Sequence, residues 1–267
     1  MSDGRSKVNQ NQIEILEVLY EYRFSSRQLI AESLGIKAGS SLHERLGVLL
    51  KHGYIGMRLD KRLKLIGMPA AYYLTPKGLR LLQAVPEHEF ISDSVIKSSY
   101  KDKTARQSFI SHTLNIHKYT NVLRRQYPTL KVFTKREMSR YSYFPSQLPD
   151  AFLSLPVESP SQPKRFFLDI IPDSLPRHLL DRRINNYCRF FDGGGWDIVG
   201  SELPTLLLLG ETGVTERRVR RNVTSHLARN DMEELKVLTS TFGALEHMDI
   251  EGKIWTSIDD ADDLRSL

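Results

Sequence analysis

Apolar residues recur three and four positions apart through the first 85 residues: Ile13, Leu16 and Tyr20, then Leu29, Ile30 and Leu34, then Leu42, Leu46, Leu49 and Leu50. This spacing places each set on one helical face and predicts three short amphipathic helices around a shared core. Ser25 or Ser26 is placed to cap the second helix, and Gly35 stands where that helix must stop and turn left-handed. The third helix, from about Ser40 to His52, keeps its leucines inward and directs Ser40, Ser41, His43, Glu44, Arg45 and Lys51 elsewhere. Tyr54 to Leu59 then reads as a strand, Asp60-Lys61-Arg62 as a turn, and a return strand begins near Lys64 and resumes from Ala71 to Thr75.

Helix, turn, helix and cationic hairpin in this order predict a winged helix-turn-helix, with double-stranded DNA as the leading partner. The third helix is then the recognition helix. Ser41, His43, Glu44 and Arg45 are its base readers, with Arg45 foremost, and Lys51 lies on the same exposed side. Arg58, Lys61, Arg62 and Lys64 are placed to neutralise phosphates beside the groove. A charged hairpin tip also protects an edge from aggregation, so the coupling to a recognition helix carries the assignment.

The helix from Pro76 ends at Pro86-Glu87-His88-Glu89, and a polar stretch to about Lys103 reads as a linker. A long helix from about Lys103 to Gln126 follows, striped by Phe109, Thr113, Ile116, Thr120 and Leu123. It carries His112 and His117, whose five-residue spacing does not form an i, i+4 metal pair; packing or surface roles are expected. Strands and helices then alternate: Leu130 to Lys135, Ala151 to Leu155, Arg165 to Ile171, a helix from Pro176 to Phe191, Pro204 to Leu209, a helix from Thr215 to Ala228, and Leu235 to Thr239. That is an α/β pattern with a mixed sheet. The unbroken run Thr205-Leu206-Leu207-Leu208-Leu209 is expected of a central strand buried on both faces.

The organisation expected is a winged helix-turn-helix over 1–88, a linker over 89–102, an α/β domain over 103–258 and an acidic tail over 259–267. Charge sharpens this division. Residues 1–147 hold 24 Lys plus Arg against 12 Asp plus Glu, whereas residues 148–267 hold 14 against 20. The imbalance confines the expected DNA contact to the first half. Glu216-Arg217-Arg218-Val219-Arg220-Arg221 is a second basic cluster, but Glu211, Glu216, Asp231, Glu233 and Glu234 lie near enough in sequence to pair with it. The acidic tail, Asp259-Asp260-Ala261-Asp262-Asp263, is expected to stay mobile.

The single cysteine, Cys188, permits no internal disulfide and is expected as a buried helix residue. No apolar run approaches the roughly 18 residues needed to cross a bilayer, so a cytoplasmic, membrane-free protein is expected. Gly193-Gly194-Gly195 succeeds a helix, and Gly210-Glu211-Thr212-Gly213 lacks a phosphate-loop lysine, which argues against nucleotide hydrolysis.

The order of parts and several short motifs resemble the replication-relaxation family of plasmid and mobile-element proteins. The matching features are the Leu74-Thr75-Pro76-Lys77-Gly78 block, the helix with Ser111-His112-Thr113-Leu114, then Pro149-Asp150-Ala151-Phe152 and the strand Phe166-Phe167-Leu168-Asp169-Ile170. The resemblance implies a DNA-binding protein of replication, relaxation or mobilisation, with a restriction-endonuclease-like second domain. An active domain of that kind would hold Mg²⁺ on Asp150 and Asp169, with Glu137 as a third ligand and a lysine to activate water. Ile171 occupies the position two residues after Asp169 where the lysine is wanted; Lys164 precedes the strand, and Arg182 or Arg183 on the next helix would have to take the role.

Ile171 therefore favours a degenerate, noncatalytic domain needing no cofactor. The expected function is sequence-directed binding of double-stranded DNA in plasmid or mobile-element replication, mobilisation or its transcriptional control. The alternative is a Mg²⁺-dependent nuclease addressed by the winged helix. A homodimer, and recruitment of a relaxase or replication protein through the α/β half, complete the expected partners.

Overall fold

A computed structural model describes residues 8–59, 67–157, 162–232, 234–260 and 263–267. The chain forms two compact units, Met1–Asn121 and Val122–Leu267.

In the first unit, α1 (Gln10–Tyr22) opens with a capping box in which Asn9 and Gln12 exchange side-chain and backbone hydrogen bonds. Ser26 caps α2 (Arg27–Ser33), accepting from the Leu29 amide at 3.2 Å, and Gly35 takes the expected left-handed turn at φ +64°. In α3 (Ser40–Lys51), Leu42, Leu46 and Leu49 are buried. They meet Ile15, Leu16 and Leu19 of α1 in one core, where each fully buried aliphatic side chain contributes about 1.5–3 kcal/mol.

Strands β1 (Ile55–Arg58) and β2 (Ala71–Leu74) pair antiparallel, with Ile55 opposite Leu74. Ser25 adds a further antiparallel bridge to Tyr72. Residues 60–66, including Lys61, Arg62 and Lys64, lie outside the described residues.

The Leu74-Thr75-Pro76-Lys77-Gly78 block has a physical purpose in this unit. Thr75 caps α4 (Pro76–Gln83) by accepting from the Gly78 amide, and its hydroxyl donates to the Gly53 carbonyl at 2.7 Å. Pro76 begins the helix where no amide donor is needed. Lys77 donates to the His52 carbonyl at the end of α3, at 2.8 Å, and lies over the Tyr54 ring. Gly78 packs so close that a Cβ would fall 2.0 Å from the Tyr54 carbonyl oxygen. The block ties the hairpin to the end of α3.

Residues 89–102, expected as a linker, instead belong to the first unit. They carry α5 (Asp93–Ser99) and a 3₁₀ segment (Tyr100–Thr104), with Ile91 and Ile96 in the core. The apolar positions there, Phe90, Ile91, Val95, Ile96 and Tyr100, span too short a stretch among serines and charges for one helical face to stand out. Asp102 is buried and takes Arg23 on one carboxylate oxygen, at 2.8 Å from Nε and 2.6 Å from Nη2.

Helix α6 (Gln107–Gln126) is shorter than expected at its start and contains the division between the two units. His117 is fully buried, stacked on Tyr22 with centroids 3.7 Å apart. Its Nδ1 lies 2.9 Å from the Ser25 hydroxyl and its Nε2 2.7 Å from that of Ser33, so both ring nitrogens serve packing.

The second unit is built on a mixed seven-stranded sheet in sequential order. It comprises β3 (Lys131–Thr134), β4 (Ala151–Leu155), β5 (Lys164–Ile171), β6 (Thr205–Gly210), β7 (Val237–Thr241), β8 (Trp255–Ser257) and β9 (Leu264–Arg265). β6 pairs parallel with both β5 and β7, which gives the leucine run the central position expected of it. The remaining pairings are antiparallel. Between strands lie α7 (Lys135–Met138), α8 (Arg177–Asp192), α9 (Gly213–Arg229) and α10 (Phe242–Glu246). α8 and α9 bury Leu180, Ile184, Cys188, Val219 and Val223 in a core with Phe167, Leu206 and Leu208.

The acidic tail does not behave as a detached segment. β9 pairs with β8 and Leu267 is buried, while Ala261 and Asp262 lie outside the described residues. Backbone pairing at the sheet edge needs no apolar side-chain pattern, which hid this strand from the sequence. Among the described residues, no helix is long and apolar enough to cross a membrane.

Candidate nucleic-acid interface and buried carboxylate pair

The first half of α3 presents Ser41, His43 and Glu44 to solvent, with Arg45 half-buried beside them and Lys51 exposed in the last turn. The leucine seam produces this arrangement: once Leu42, Leu46 and Leu49 face inward, the 100° helical step sends the intervening residues outward. Arg58, at the end of β1, donates from its guanidinium to the Lys103 carbonyl. One of the expected phosphate contacts is thus engaged within the protein.

In the second unit, β4 and β5 run in a register that sets Ala151 opposite Leu168, and β3 sets Thr134 opposite Ala151. One position further along all three strands come Lys135, Asp150 and Asp169. This is a cation and two carboxylates in a row. The Lys135 ammonium donates to Asp150 Oδ1 at 2.6 Å. The Asp150 amide donates to Asp169 Oδ1 at 3.0 Å, and the Ile170 amide to Asp150 Oδ2 at 2.9 Å.

Helix α8 completes the cluster. Arg183 and Tyr187, one turn apart, share the face that looks onto this end of the sheet. Arg183 Nη2 lies 2.5 Å from Asp169 Oδ1 and 3.4 Å from Asp150 Oδ1, and the Tyr187 hydroxyl donates to Asp169 Oδ2 at 2.8 Å.

Asp150 and Asp169 are 1% and 0% exposed, which makes their charge state a matter of partners. Burial pushes the Asp169 carboxyl above the usual carboxylate range, against the pull of Arg183. Burial also works against the Arg183 charge, but Asp169 and then Asp150 outweigh it and hold the guanidinium protonated. Burial and then Asp169 push the Tyr187 phenol well above its ordinary range, so it remains a donor.

This donor set does not fit the Mg²⁺ expected for an active domain. Magnesium demands near-octahedral oxygen coordination at about 2.0–2.1 Å. Here all four carboxylate oxygens accept from protein donors, with a guanidinium between the two side chains. Glu137 is not brought to the pair. Its Oε2 accepts from the Thr134 amide at 2.7 Å and from its hydroxyl at 3.1 Å, capping α7. No cluster of three His, Cys, Asp or Glu with metal-holding geometry occurs among the described residues.

Both aspartates and Arg183 were thus legible in the sequence, whereas Lys135 and Tyr187 were not. The cation was expected on β5, two residues beyond Asp169, where Ile171 is buried in the core. The signal for Lys135 is its registered position on β3, visible only once strand pairing is known. Among the acids expected to pair with the α9 arginines, Glu216 does so, 3.5 Å from Arg220 Nε; Glu233 lies outside the described residues.

The solved structure of the restriction endonuclease FokI matches 88% of this chain and 42% of its own chain, at 14% identity and a TM-score of 0.32. This chain therefore spans less than half the length of that structure, and no functional reading rests on the likeness. A search of curated proteins gives no match. The replication-relaxation family profile matches residues 16–197, about two thirds of the chain, and thereby includes α3, the Leu-Thr-Pro-Lys-Gly block and both buried aspartates. The chain belongs to the replication-relaxation family.

Proposed function

We propose that the chain is a sequence-directed double-stranded-DNA-binding protein of plasmid or mobile-element replication or mobilisation, and that it acts without catalysis. The observation that carries this reading is the outer surface of α3. Ser41, His43, Glu44 and Arg45 stand together near the start of a helix whose other end is tied to the β1–β2 hairpin by Thr75 and Lys77. Read as a winged helix-turn-helix, α3 enters the major groove and its early residues meet base edges. Family membership supports the biological setting.

The second unit is read as a restriction-endonuclease-like domain that has exchanged metal binding for a salt-bridged cluster. Lys135 stands beside Asp150, as the alternative nuclease reading would want, but it neutralises a carboxylate already engaged with Arg183. The unit then serves as scaffold or docking module, for a second copy of the chain or for a relaxase or replication protein.

Footprinting of the full-length chain on duplex DNA from its own genetic neighbourhood, with Mg²⁺ present and strands resolved under denaturing conditions, tests both readings. A discrete protected site without new breaks is expected, with preferential loss of cognate binding in Arg45→Ala. A twofold-symmetric site would add the homodimer. Mg²⁺-dependent breaks that vanish in Asp150→Ala and Asp169→Ala would overturn the noncatalytic reading, and absence of any protection would overturn DNA binding.

A further inference from the structure

A groove of about 560 Å³ runs between α8 and α9 in the second unit, apart from the carboxylate cluster. Four arginines line it: Arg177 at the start of α8, and Arg218, Arg221 and Arg229 along α9. Positions 218, 221 and 229 recur at helical spacing, which gathers two arginines of the 216–221 cluster with Arg229 into one basic wall. Among the described residues none of the four forms an ion pair with a carboxylate.

The polar chemistry inside the groove is incomplete. Among the described residues, Arg218 Nε and Nη2 are buried without a hydrogen-bond partner, as is Asn222 Oδ1. Buried donors of a charged group left unmet are costly, and they are uncommon in proteins unless something meets them. Asp181 is the acid among the described residues lining the groove; its carboxylate accepts from the Asn222 amide and from His226, whose Nε2 is 3.2 Å away, and it feels the charge of Arg177 from beyond ion-pair distance. It leaves the guanidinium groups in excess.

The geometry points to a binding site for phosphate oxyanions, formed by Arg177, Arg218, Arg221 and Arg229. Planar guanidinium groups offer paired donors that match the oxygens of a phosphate, and several converging ones select a polyanion over a single carboxylate. The backbone of the DNA bound by α3 is one source of such phosphates, and that part rests on the proposed function; a free polyphosphate is the other.

The test compares the full chain with Arg218→Gln/Arg221→Gln, and with Arg221→Gln alone, an exposed change that spares the fold. Affinity for a duplex of random sequence is followed against salt by fluorescence anisotropy, and binding of inorganic pyrophosphate by calorimetry. The expected result is a shallower salt dependence in the double variant, by about 0.9 in log–log slope for each phosphate that the variant no longer neutralises. An unchanged slope, with pyrophosphate binding by the parent that the variants lose, also supports the site and identifies a free polyphosphate as its source. If the parent ignores DNA but takes pyrophosphate through these arginines, the DNA-binding function fails and the phosphate site stands. If folded variants match the parent in both measurements, the proposal is overturned.

Discussion

Arg183 lies 2.5 Å from Asp169, its Nη2 against a carboxylate with no solvent exposure. Two buried carboxylates facing each other across β4 and β5 depend on that cation. Removing one member of a buried ion pair strands the other, at a typical cost of about 3–5 kcal/mol. Arg183→Leu should therefore lower unfolding free energy by that order in chemical denaturation. Asp150→Asn and Asp169→Asn added to Arg183→Leu should recover part of the loss. A fully stable Arg183→Leu protein would show that the cluster does not rely on the guanidinium.

Lys135 is the exposed end of the same row. Its side chain keeps 45% exposure, and water can take over much of what it supplies to Asp150. Lys135→Gln should cost clearly less than Arg183→Leu, within about 1–2 kcal/mol, since the amide still donates a hydrogen bond. Thermal melts of the two variants side by side check the order; a larger loss for Lys135→Gln would reverse the roles given to the two cations.

Two glycines of the first unit should respond oppositely to alanine. Gly78→Ala forces a methyl group against the Tyr54 carbonyl and should destabilise by about 1–3 kcal/mol or more. Gly47, inside α3, has nothing within 4 Å of a new Cβ, and its replacement should stabilise by about 0.5–1 kcal/mol. Urea titrations of both variants are sufficient, and a Gly78→Ala protein as stable as its parent would refute the close packing of the Thr-Pro-Lys-Gly turn.

Acid should loosen the α8–α9 groove through Asp181. The Asn222 hydrogen bond first, and His226 after it, hold this carboxyl below the ordinary 3.8. A group whose folded pKa is lowered contributes stability above its unfolded pKa and loses it as pH falls through the folded value. Asp181→Asn should thus be less stable than the parent near neutrality, with the difference closing below about pH 4. A deficit unchanged down to the acid limit would place the effect of Asp181 in packing.

The amino-acid sequence by itself determined the local elements wherever the side-chain pattern was periodic and long enough. The leucine seam of α3 follows from spacing, because burial of one face selects one backbone period. The α2 cap, open between Ser25 and Ser26 in the sequence and made by Ser26, the left-handed turn at Gly35 and the central β6 follow from residue type and from an unbroken apolar run. Elements stabilised by backbone pairing or by a few distant contacts escaped it: α5, anchored by Ile96 with Ile91 just ahead of it, and β9 at the sheet edge.

The chemistry of the candidate site was decided one level higher. Asp150 and Asp169 could be named from the chain, but whether they hold a metal or a salt bridge depends on what reaches them. Antiparallel register sets Lys135 in line with them, and the helical step of α8 brings Arg183 and Tyr187 over the same end of the sheet. The four arginines of the 216–221 cluster likewise read as a surface cluster until the helix separated Arg220, paired with Glu216, from Arg218 and Arg221 in the groove. Sequence spacing determines which face a residue takes, whereas the partners of a charge, and with them its function, come from strands and helices far apart in the chain.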